Sequence, residues 1–138
     1  MANPNIVNVA SIYGNVAYVI PSAAATATTS WTYDGTTALT GLKPATGTVN
    51  RLTSVTASNT TSSAVTATIA IGNNGTFGSA TVVTYPAYQI SVPPNATLII
   101  IDKTNSVYIT NTTSVAAYSG TASALTFTAT FEAITGTA

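Results

Sequence analysis

At 138 residues, with three basic and three acidic side chains and neither His nor Cys, the chain has the length of one domain and almost no ionisable chemistry. Without Cys there is no disulfide or thiolate metal site, and without His the side chain that most often moves protons near neutral pH is missing. Three cations, Lys43, Arg51 and Lys103, are too few to neutralise a phosphate backbone, so nucleic acid is excluded as a main partner.

The remaining composition points to strands. Thr (29), Ala (23), Ser (13) and Asn (11) make up more than half of the residues, surface helix formers are scarce, and no window sustains a period of 3.6. In chain order, strands are predicted at Ile6–Ile12, Asn15–Ile20, Thr26–Tyr33, Thr36–Leu42, Thr48–Ser58, Val65–Ile71, Thr81–Tyr85, Ala87–Val92, Ala96–Asp102, Val107–Thr110, a short stretch around Val115–Tyr118, and Leu125–Ala133. The last is the clearest. Leu125, Phe127, Ala129, Phe131 and Ala133 alternate with Thr126, Thr128, Thr130 and Glu132, the pattern of a strand with one dry face. Val65, Ala67, Ile69 and Ile71 alternate in the same way.

Asp34-Gly35 and Asn74-Gly75 suit hairpin turns that need positive φ, and Pro93-Pro94-Asn95 ends one strand before the next begins. Short strands at close spacing, with no helix between them, predict an all-β antiparallel sandwich of jelly-roll or immunoglobulin-like type. Residues 49–138 read as its core. Residues 1–48 read as an extended N-terminal arm, or as irregular and edge strands packed on or beside the same domain. The segment Pro21–Ser30 is nearly low-complexity, and its small side chains cannot anchor a core alone.

Sites for chemistry are few. The carboxylates Asp34, Asp102 and Glu132 sit at a turn, a strand end and a polar strand face, which are ordinary positions for turn bonds and ion pairs. A Ser-His-Asp triad cannot be assembled without His, and no two carboxylates lie close enough in sequence to suggest a calcium loop. Gly72–Gly78 is spaced like a phosphate loop but has no Lys, so a hairpin loop is the reading. Sequons at Asn59, Asn74, Asn95 and Asn111 follow from a composition rich in Asn and Thr. No catalytic residue, metal or cofactor is expected. The longest aliphatic run, Leu98–Ile101, is far too short to span a membrane, and the N-terminus has no signal-peptide features.

Aromatic residues have two readings. Trp31 and Tyr33 share a strand face, and Tyr85 and Tyr88 flank Pro86. Exposed, they would form platforms for sugars or proteins; the preferred reading has one or more of them plug the end of the sandwich, with a polar tip reaching water.

Asn3–Gly14, Ile90–Lys103, Val107-Tyr108-Ile109 and Thr128–Ile134 resemble stretches of small virion structural proteins of tailed phages, particularly cyanophages. The resemblance implies a β-sandwich that decorates or cements a capsid, with no catalytic residues. It implies a protein made in a host cytoplasm and carried on the virion, bound to the major capsid protein and to itself as a homotrimer. The candidate contact elements are the strand Ile6–Val9 and the arm through Ser30, and the candidate contact residues are Ile6, Val7, Val9, Ile12, Trp31 and Tyr33. The alternative is an adhesin associated with a tail or head fibre that reads host glycans through its aromatic residues.

Overall fold

The computed structural model of the chain describes residues 9–33, 36–73 and 82–136. Its ten strands are β1 (Val9–Val19), β2 (Ser30–Tyr33), β3 (Thr37–Thr40), β4 (Thr48–Asn59), β5 (Val65–Asn73), β6 (Val82–Val92), β7 (Thr97–Ile101), β8 (Val107–Ile109), β9 (Thr113–Ser119) and β10 (Leu125–Gly136). One sheet has the order β3-β2-β1-β10-β4-β7, with β8 also on β4, and the other has β6-β5-β9. All strand pairs are antiparallel. The two sheets pack face to face as an all-β sandwich.

Alternation builds the core. Phe127, Ala129 and Phe131 of β10 point inward with Ala17 and Val19 of β1, facing Val65, Ala67, Ile69 and Ile71 of β5 and Val115 and Ala117 of β9. In β4 the buried residues Leu52 and Val55 are three apart because Thr53 is an extra residue: Phe131 pairs with Leu52 but Thr130 with Ser54. That bulge returns both aliphatic side chains to the dry face. The Thr53 hydroxyl donates to the Thr130 carbonyl at 3.2 Å.

Two expected breaks are absent. β1 runs unbroken through Gly14, and β6 runs through Pro86. Pro86 is tolerated because β6 is an edge strand whose pairing with β5 shifts register three times, leaving unpaired residues along it. The Asp34-Gly35 and Asn74-Gly75 turns lie outside the described residues, and the strands flanking each pair as hairpins.

Of the two readings of the N-terminal part, the described residues between 9 and 48 follow the second, as strands and edge segments packed on the same domain. β1 lies inside the larger sheet and pairs with β10 from Val9 to Val19. The low-complexity stretch is bound along the outer edge of β9. The Ala25 amide donates to the Ser119 carbonyl at 2.8 Å, and Thr28 and Ala117 exchange two bonds of 3.0 Å. The Val115 amide donates to Gly41 at 2.8 Å, and the Val115 carbonyl accepts the indole N–H of Trp31 at 3.0 Å. A side chain thus completes a ladder that backbone alone would otherwise fill.

A second buried polar hub lies at the end of β4. Asn59, 2% exposed, donates from Nδ2 to the carbonyls of Ser63 and Val92, and its Oδ1 accepts from the Thr61 amide and hydroxyl. Its place in a sequon is therefore incidental: in the folded chain the amide is fully engaged.

Candidate functional site

The four described residues among the six expected at a partner contact do not converge. Ile6 and Val7 lie outside the described residues. Val9 is half-buried where β1 begins, opposite Gly136. Ile12 is 56% exposed, in keeping with a contact role. Trp31 has no exposed surface, so as a contact residue it is corrected: its ring belongs to the core and its N–H to Val115. Tyr33 is half-buried against that core and lines a cleft with Leu39, Lys43 and Phe131.

Ile12 is part of a larger feature. Strand alternation sends Asn15, Ala17 and Val19 inward, opposite Phe131, Ala129 and Phe127, and sends Ile12, Gly14, Val16 and Tyr18 outward. Val16 is 54% exposed, Tyr18 43% and Ile20, just past the strand, 49%. The strip from Ile12 to Ile20 is roughly 27 Å long at a strand's rise per residue. Beside it, the outward positions of β10 are Thr126, Thr128 and Thr130, and those of β4 include Ser54, Thr56 and Ser58. Ile99, 64% exposed, follows on β7 opposite Thr56. Among the described residues, the charges on these strands are Arg51 and Glu132, joined at 3.1 Å, so the face presents hydroxyls and methyls with one neutralised pair.

The opposite face of the sandwich carries a cleft of about 200 Å³. Thr66 and Thr68 of β5, Tyr85, Tyr88 and Gln89 of β6, and Tyr118 of β9 line it. Thr68 lies opposite Tyr118 in the β5–β9 register. Gln89 has φ +48°, and its amide, turned out of the ladder, donates to the Thr68 hydroxyl at 2.8 Å. The rings of Tyr85 and Tyr88 meet edge to face, with centroids 4.8 Å apart. Gly120 closes the floor: its amide donates to the Thr66 carbonyl at 2.9 Å, and a Cβ there would collide with the Thr66 hydroxyl. Tyr85 and Tyr88 were visible in the sequence as a pair around Pro86. Tyr118 was not, because its relation to them depends on strand order.

Burial pushes the Tyr118 phenol above its ordinary value of 10.0, and the neighbouring Tyr85 adds to the effect. The folded state therefore holds this proton more tightly than the unfolded chain. Its contribution is complete below pH 10 and is lost as pH rises through the folded value. Alkaline denaturation should accordingly begin near pH 10 in wild type and be weaker in Tyr118→Phe, as followed by circular dichroism. Thr104, chiefly through its hydroxyl and then its amide, holds the Asp102 carboxylate below its ordinary value. Asp102 caps the 3-10 turn Lys103–Asn105.

Among the described residues no three of His, Cys, Asp or Glu gather as a metal site would require. Comparison with known proteins returns nothing similar: no family model, no curated protein and no solved structure matches the chain.

Proposed function

We propose that this chain is an assembly-bound structural subunit of a phage virion, a capsid decoration protein that self-associates as a trimer and binds the major capsid protein. The observation that supports this is the exposed strip Ile12, Val16, Tyr18 and Ile20 beside a field of Thr and Ser hydroxyls. A neutral protein with an apolar strip of this length has little to keep copies apart. Burying hydroxyls against a partner that can hydrogen-bond them is far less costly than burying charges.

The contact is a face rather than an edge. The β9 edge is occupied by Ala25, Thr28 and Gly41, β6 is bulged and carries Pro86, and the edge strands of the larger sheet are short, with four residues in β3, five in β7 and three in β8. Each device discourages strand addition. Pairing in this reading runs through the outer surface of the larger sheet, since the segment 21–30 is already bound along β9 through Ala25 and Thr28.

Sedimentation of the intact protein and its copy number in purified virions test the proposal. The expected results are a trimer in solution and copies on the order of hundreds per particle, in multiples of three. The double variant Val16→Glu/Tyr18→Glu should fold with unchanged circular dichroism, because both side chains point to solvent, yet associate more than ~100-fold less tightly. A monomeric wild type that does not bind capsids would sink the proposal.

A further inference from the structure

The geometry points to the tyrosine cleft on the three-stranded sheet as a binding site for a single neutral sugar ring, free or at the end of a glycan. This goes beyond the association proposed above and uses the opposite face of the sandwich, so either can fail without the other.

The lining selects the ligand class. Among the described residues none of the side chains that line the cleft is charged, so neither a phosphate, a carboxylated sugar nor a cation has a complementary charge there. What it offers are ring faces, hydroxyls and an amide. Tyr85 is 43% exposed and Tyr88 57%; Tyr13, Tyr18 and Tyr108 are exposed to a similar degree, but Tyr85 and Tyr88 stand ring against ring at a concave site. The C–H bonds on one face of a pyranose carry slight positive charge and pack against the negative face of an aromatic ring. The Thr66 and Tyr118 hydroxyls and the Gln89 amide can each donate and accept, as sugar hydroxyls do.

Preorganisation supports the same reading. Pro86 and the bulges of β6 fix the backbone between the two rings, and the bond from Gln89 to Thr68 pins the bulge to the central strand. Little ordering is left for a ligand to impose. The cleft, about 200 Å³, is smaller than the ~300–1,000 Å³ that drug-sized ligands occupy, and suits one ring. A proline-rich helix, which advances ~3.1 Å per residue and fills successive aromatic slots, would need a longer groove.

The test is a titration of the intact protein with tyrosine rings labelled for NMR. The probes are methyl glycosides of glucose, galactose, mannose and N-acetylglucosamine, a sialylated trisaccharide and a decaproline peptide. At least one neutral glycoside should shift the Tyr85, Tyr88 and Tyr118 signals saturably, with Kd in the range of ~0.1–10 mM. Tyr88→Ala should weaken binding at least ~10-fold and Tyr88→Phe by less than ~3-fold, since the ring face is the contact. Thr66→Val, an isosteric change at an exposed position, should lower affinity while leaving the fold intact, and Tyr108→Ala on β8 of the far sheet should leave sugar binding unchanged. Three results would overturn the assignment: no saturable shift with any neutral glycoside, saturable binding of decaproline alone, or undiminished sugar binding by Tyr88→Ala.

Discussion

Trp31→Ala should destabilise the protein by about 3–5 kcal/mol and lower Tm by roughly 10–20 °C in a thermal melt followed by circular dichroism. Two losses combine. The indole is the largest of the fully buried side chains, so its removal leaves a cavity between β2, β9 and the core. Its N–H also satisfies the Val115 carbonyl, which then becomes an unpaired acceptor at a buried strand edge. Trp31→Phe separates the two effects: it keeps most of the packing and should cost about 1–3 kcal/mol, chiefly through the carbonyl. If Trp31→Ala melted within a degree of wild type, the ring could not be holding the β1–β2 connection against β9. A corollary concerns ligand binding: loss of any activity in Trp31→Ala would report unfolding, not a sugar platform.

How much was legible in advance depended on where each segment finds its partner. β10 and β5 could be read because their inward side chains are apolar and their outward ones are mostly Thr, and period two has no other meaning. Pro21–Ser30 misled because its partner is the backbone of β9, and backbone-to-backbone pairing leaves no mark on the side-chain pattern. Gly14 suggested an interruption, yet nothing lies within 4 Å of the Cβ it lacks, so the glycine answers no packing demand and the strand passes through. The β4 bulge concealed itself as a broken alternation between Leu52 and Val55.

The candidate sites divide in the same way. Ile12 was legible as an exposed apolar residue on a strand near the N-terminus. The strip it belongs to required knowing that β1 lies beside β10, so that Val16 and Tyr18 stand next to Thr130 and Thr128. The tyrosine cleft needed more still. It combines residues more than thirty apart from three strands, and it depends on Gln89 holding a positive φ that no residue type advertises. A face built from hydroxyls and a cleft built from rings are consistent with the composition, since neither function asks for a charge.

Gly41→Ala should be the second severe substitution, costing about 3–4 kcal/mol from two sources that can be measured apart. Gly41 has φ +64° and the following Leu42 φ +55°, and the Lys43 amide donates to the Thr40 carbonyl across them. Positive φ at both central positions is the mark of a type I′ turn. Leu42 tolerates it because its side chain is fully buried and its carbonyl accepts from Asn50 Nδ2 at 2.9 Å. An alanine at 41 would have no such compensation, and its Cβ would stand 2.5 Å from the Cβ of Ser114. Neither atom can yield without moving backbone, and the Gly41 carbonyl is already fixed by the Val115 amide. Ser114→Gly removes the obstructing atom and alone should cost about 1 kcal/mol, as glycine does in a strand. In the double variant the Cβ collision is removed while a 3.3 Å approach to the Cα of residue 114 and the strained φ remain, so a double-mutant cycle in urea should show about 1–2 kcal/mol of rescue. Strict additivity of the two substitutions would mean that backbone strain alone makes Gly41 necessary, and that β9 is not clamped by the turn that crosses it.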